Sequence, residues 1–170
     1  MPLLIEILNR TPPWVFFLFF ALLALGYFQS KSRTLSRGKV STLPVAMIVL
    51  SFYSVLSAFG IAHLGLVFWF LGVAIAVGLG VMLAMPKGVT FSTETQSFFV
   101  PGSWLPLALM MVIFFTKYAV GVILTRQLPV AREMAFVGSV SFCYGFLSGV
   151  FLARAIVIWR PAMRYRQNHA

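Results

Sequence analysis

Few residues in this chain are of a type that can do chemistry, and they stand far apart. Lys117 lies in the run Phe114-Phe115-Thr116-Lys117-Tyr118-Ala119-Val120-Gly121, among apolar neighbours. It falls thirteen residues beyond Trp104, roughly 20 Å along a helix. An ammonium at that depth in hydrocarbon is costly. By default it is a candidate to bind an anionic group, relay protons or pair with a carboxylate. Tyr118 and Tyr144 are the candidate hydroxyl-bearing companions. The plainer alternative is a lysine that snorkels outward or bonds a hydroxyl such as Thr116 or Tyr144. Arg154 is a second cation inside an apolar run, about one and a half turns before Arg160. The favoured reading for it is a side chain that snorkels to headgroups.

The remaining residues exclude most other chemistry. The only acids are Glu6, Glu94 and Glu133, and none falls in an expected span, so acid–base work by a carboxylate pair is not expected. His63 and His169 are isolated, which leaves neither a haem pair nor a metal site. Cys143 is the single cysteine, so no intrachain disulfide can form. It reads as a small buried hydrophobe. Serines are present without a base partner in a matching run, and no glycine-rich phosphate loop occurs. The expectation is a non-enzyme without cofactor or metal.

The elements that must carry Lys117 and Arg154 follow from composition. Hydrophobic residues make up 61% of the 170-residue chain and charged residues 9%, too few polar groups to cover a water-facing surface. The apolar residues fall in blocks long enough for a hydrocarbon layer about 30 Å thick, which needs roughly 20 residues per helix. An all-α membrane protein is expected: one integral membrane domain, a bundle of five transmembrane helices with spans at about 13–28, 43–59, 64–85, 104–124 and 134–159. Residues 2–9 are too short to span and are expected at the interface. The first block follows Arg10 and Pro12-Pro13 without a strongly basic leader or a small-x-small cleavage site, so it reads as a retained span. Pro44 and Ser103 read as helix-start signals, and Arg160-Pro161 as the close of span 5. Spans 2 and 3, joined by a short link containing His63, should be antiparallel neighbours. Between spans 3 and 4, residues 89–100 are β-branched and aromatic with a polar centre. They read as a small cytoplasmic hairpin turning near Thr93 to Gln96, or as an irregular loop.

In lipid, helices associate through small residues that let backbones approach. Span 3 offers Gly72, Ala76 and Gly80, and span 5 offers Ser141, Gly145, Gly149 and Ala153, each at four-residue spacing. Ser51, Ser54 and Ser57 recur at three-residue spacing in span 2. Packing is the expected role of these stripes, ahead of a pore lined by small residues.

The net charge of +10 would suggest nucleic acid in a soluble protein, but here the basic residues sit between and after apolar blocks. Nucleic acid is therefore not an expected partner. Lys31, Arg33, Arg37, Lys39, Lys87, Arg160, Arg164 and Arg166 fall on one side of the bundle, against Arg10, Arg126 and Arg132 on the other. The richer side is expected in the cytoplasm, with the N-terminus outside. Arg160, Arg164 and Arg166 are candidates to bind anionic lipid headgroups.

Three stretches carry a family resemblance. They are Pro101-Gly102-Ser103-Trp104-Leu105-Pro106-Leu107 with the Lys117 run above, Thr11-Pro12-Pro13-Trp14-Val15, and Ser148-Gly149-Val150-Phe151-Leu152-Ala153-Arg154. Together these resemble a bacterial family of small uncharacterised inner-membrane proteins. The resemblance covers most of the chain. It implies location and fold, draws attention to Lys117 and Arg154, and carries no established activity. Two functional expectations remain: a small transport component for an anionic solute, using Lys117, or a non-catalytic accessory or assembly factor. A solute path in a chain this short should need a homo-oligomer, and an accessory factor a larger membrane complex.

Overall fold

The computed structural model describes residues 11–59 and 63–168. Helix α1 spans Pro13–Ser30, strand β1 Arg33–Ser36, α2 Arg37–Phe59 and α3 His63–Leu83. Strands β2, Thr90–Ser92, and β3, Ser97–Val100, precede α4, Leu105–Thr125. A short 3-10 turn, Pro129–Arg132, then leads into α5, Met134–Asn168. Five of these helices are long and apolar enough to cross a membrane. The interfacial segment expected at residues 2–9 lies outside the described residues.

Residues 89–100 form the hairpin, with its turn at residues 93–96. The Gln96 side-chain amide donates to the Thr93 carbonyl at 3.0 Å, and the Thr95 and Ser97 hydroxyls bond at 2.6 Å. The hairpin does not stand alone. Strand β1, in the connection between spans 1 and 2, pairs antiparallel with β3, giving the order β1-β3-β2. Arg33 lies opposite Val100, and Leu35 opposite Phe98. Alternation then separates two faces. Leu35, Phe91, Phe98 and Val100 turn inward over the helix ends, while Thr34, Ser36, Thr90, Ser92 and Phe99 turn outward.

The inward face explains two helix boundaries. Beneath the sheet, Phe98 and Val100 pack with Val40 of α2 and Ala155 and Ile158 of α5, flanked by Trp159 and Ala162. Burial of Val40 holds the turns ahead of Pro44 helical, so α2 starts at Arg37 and Pro44 lies inside it. The same packing carries α5 through Arg160-Pro161 to Asn168, beyond its expected close. At the head of α4, the helix starts at Leu105, whose N–H donates to the Ser103 hydroxyl at 3.3 Å. His63, expected in the link, is the first residue of α3.

Helix α5 is the centre of the bundle. Glycines let α3 approach it in parallel. A Cβ on Gly72 would strike the Phe142 carbonyl, and one on Gly145 the Trp69 carbonyl. One on Gly149 would come within 2.8 Å of the Ala76 methyl, and one on Gly80 within 2.5 Å of the Ala153 methyl. Helix α2 packs antiparallel along another side of α5, joined by Ser51–Ser148 and Trp159–Ser41 hydrogen bonds. Helices α2 and α3 meet mainly at Ser51, Phe52 and Trp69, each leaning more on α5 than on the other.

The other two helices form a separate pair. Gly26 of α1 lies against Leu107 of α4, and Phe19 meets Phe114 at 5.3 Å between centroids. Tyr27 packs on Trp104, and the Thr11 and Tyr118 hydroxyls bond at 2.5 Å. This α1–α4 pair touches the α2–α3–α5 group far more lightly than its members touch each other. The result is a seam between two helix groups.

Candidate functional site

Lys117 bridges that seam. It projects from α4, eight residues before Thr125, which places it roughly 12 Å from that helix end. Its ammonium donates to the Ser54 hydroxyl of α2 at 2.5 Å. It also lies over the Tyr144 ring of α5, 5.7 Å from the centroid, in cation–π range. Ser54 sends its own hydrogen to the Leu50 carbonyl at 2.6 Å, so its lone pairs are free to accept from lysine. Of the two residues anticipated as hydroxyl partners for Lys117, Tyr144 contributes its ring face. Glu133 is exposed at the head of α5, and among the described residues no carboxylate pairs with Lys117. Glu6 lies outside the described residues.

Tyr144 belongs to a cluster with Val55, Trp69, Val120 and Val140, which walls the α5 side of the lysine. Tyr118, one residue on, faces away from this cluster toward α1, bonded to Thr11 and stacked on Phe114 at 6.3 Å. Lys117 and Tyr144 are thus brought together, and Tyr118 is not part of their contact.

A hydroxyl relay lies deeper in the α2–α3–α5 group. Trp69 Nε1 donates to Ser51 Oγ at 3.2 Å, and Ser51 bonds Ser148 at 3.0 Å. Ser148 in turn donates to the Tyr144 carbonyl at 2.8 Å. Ser141 is fully buried, beside Gly65, and its hydroxyl has no hydrogen-bond partner among the described residues. Ser51 and Ser148 are buried within the α2–α3–α5 group.

Arg154 stands apart from Lys117, at the sheet end of the bundle. It falls twenty residues after Met134, or roughly 30 Å along α5. It is half-buried. Arg33 donates to the Gln29 side-chain oxygen at 3.1 Å. Burial pushes the Arg33 guanidinium down from its ordinary range, although an arginine remains a cation. Sequence reasoning missed Ser54, Gln29 and Arg33 as partners. Their signal was a polar residue within or beside an apolar run, which many unrelated positions share. Arg160 is half-buried on α5, while the side chains of Arg164 and Arg166 lie outside the described residues.

Among the described residues, no group of three or more His, Cys, Asp or Glu is placed to hold a metal. Cys143 is exposed on α5 rather than buried, because α5 turns its small residues inward and leaves Cys143 on the outer face.

A family model matches residues 1–167; its description is a family of unknown function, DUF6622. No curated protein and no solved structure matches the chain.

Proposed function

The chain belongs to that family of unknown function, and from this premise we propose that it is a multi-pass inner-membrane protein that carries a small anionic solute past Lys117. Its outer surface supports the membrane. Phe17 is 76% exposed and Phe20 65%, within a far larger set of exposed aromatic and aliphatic side chains on α1, α2, α3 and α4. Water-soluble monomers rarely present apolar patches beyond a few hundred Å². A hydrocarbon layer removes that cost.

The single observation behind the transport reading is the Lys117 ammonium in the seam, bonded among the described residues only to uncharged groups. A cation without a counter-charge in a low-dielectric setting attracts an anion strongly. An anion entering the seam would take the place of Ser54, and the lightly joined helix groups would separate to admit it. The orientation with basic residues concentrated at the sheet end in the cytoplasm fits the same reading. A homo-oligomer would supply the remaining walls of the path.

The direct Lys117–Ser54 bond also favours a second reading. A lysine already satisfied by a hydroxyl can be a static tie between helix groups, as in an accessory or assembly factor. Reconstitution separates the two. Liposomes containing the purified chain are loaded in turn with chloride, acetate and inorganic phosphate. The transport reading expects efflux of at least one that Lys117→Met lowers at least about tenfold. No efflux of any from well-folded protein, with stable capture in a larger membrane complex, would establish the accessory role instead.

A further inference from the structure

We propose that the outer face of the β1-β3-β2 sheet binds a sugar ring, with Phe99 as the platform and the hydroxyls of Thr34 and Thr90 on either side of it. The strand register builds this face. Thr34 and Thr90 both stand directly opposite Phe99, one on each neighbouring strand. Ser97 stands in the same way between Ser36 and Ser92. Side chains two apart on a strand share a face, so two rows cross the sheet. The first reads hydroxyl, ring, hydroxyl, and the second is three hydroxyls. Phe98 and Val100 cover the helix ends from the opposite face, which leaves these rows turned away from the bundle.

Thr34, Thr90, Ser92, Thr95, Ser97 and Phe99 line one open hollow of about 320 Å³. That volume is at the lower end of the roughly 300–1,000 Å³ typical of small-molecule sites. Phe99 is 46% exposed. The Thr95 and Ser97 hydroxyls bond each other, whereas those of Thr34, Thr90 and Ser92 make no hydrogen bond among the described residues. No charged residue lines the hollow among the described residues, and Arg33 alternates onto the inward face with Leu35. An anion therefore meets no cation here, and a wholly apolar ligand would strip water from free hydroxyls without replacing it. A sugar ring meets both demands. Its C–H face can lie on an aromatic ring, while its equatorial hydroxyls point sideways to donors and acceptors. With strands about 4.8 Å apart, Thr34 and Thr90 stand roughly 10 Å from one another across Phe99. That is the span of a pyranose hydrogen-bonded at both edges.

The ring belongs either to a free sugar or to the headgroup of a glycolipid, and measurements on the full chain separate the two sources. The detergent is an amine oxide, since a sugar-headed detergent would itself occupy the face. Saturation-transfer NMR is run with methyl glucoside, methyl galactoside and methyl mannoside. Thermal melting compares glucosyl and galactosyl diacylglycerol with plain diacylglycerol. Transfer to the ring protons of at least one glycoside assigns a free sugar. A rise in melting temperature beyond that with diacylglycerol, without such transfer, assigns the headgroup. Phe99→Thr, which keeps a strand-favouring residue, should weaken the response about tenfold. Thr34→Val with Thr90→Val should weaken it about two- to tenfold. Phe99→Tyr keeps the platform and should bind like the parent chain. No transfer with any glycoside and no excess rise with either glycolipid, or a response of parental strength in Phe99→Thr, would overturn the site. Should Phe99→Thr fail to fold, the double valine variant is judged by the same criteria. Loss of this response leaves the Lys117 reading intact, because the efflux assay reports on the seam alone.

Discussion

Lys117 of α4 and Ser54 of α2, 63 positions apart in the chain, are joined by a hydrogen bond that crosses the seam between two helix groups. Ser54→Ala removes the acceptor and leaves the ammonium facing only the Tyr144 ring. The expected loss is about 1–3 kcal/mol, the range for a charged group stripped of its partner. A double-mutant cycle with Lys117→Met, read by unfolding in mixed micelles, should give a coupling of about 0.6 kcal/mol, with about 1.7 as the ceiling. Coupling indistinguishable from zero would remove the bond as a tie between the groups.

Glycine replacements should divide by what each Cβ would meet. Gly145→Ala drives a methyl into the Trp69 carbonyl, where only backbone movement can make room. A cost of about 1–3 kcal/mol is expected, as for other overpacked sites. Gly78→Ala, on the same α3 that faces Gly145, has nothing within 4 Å. It should be neutral or stabilising by up to about 1 kcal/mol, from better helix propensity. Equal effects at the two positions would contradict the close approach of α3 and α5.

Phe98 anchors the sheet to the bundle and is 0% exposed. It meets Phe91 at 5.0 Å and Trp159 at 5.3 Å. Phe98→Ala should cost about 3–5 kcal/mol if the sheet melts with the helices. It should also open the 93–96 turn to proteases under conditions where the parent chain resists them. A hairpin cut equally fast in both would show that the sheet gains nothing from the helices beneath it.

Orientation is tested by surface labelling. In a Cys143→Ala background, Glu133→Cys should react with a membrane-impermeant maleimide in intact cells. Thr95→Cys should react only after the membrane is opened. The reverse pattern would invert the proposed topology and place the sheet outside.

The stretches that became helices could be located in the sequence because the property that marks them, apolar length, is local. The hairpin was legible for a similar reason. Val89, Thr90 and Phe91, then Phe98, Phe99 and Val100, flank a polar centre that favours reversal. Lys117 stood out through its depth in an apolar run alone. Ser54 did not, because a serine in such a run is common and usually bonds its own helix, as Ser54 does through Leu50.

What the sequence determined unaided was therefore the number of apolar helices, the hairpin between α3 and α4, and one lysine set deep in hydrocarbon-like surroundings. Tertiary structure alone decided that β1 completes the sheet, that α5 is central while α1 and α4 pair off, and that Lys117 finds Ser54 across the seam. The physical reason is that a water-soluble helix marks its inner face by contrast with a polar one, whereas these helices are apolar all round. Which faces mate is then left to shape, glycine against carbonyl and ring against ring, and shape exists only once the partners are in place.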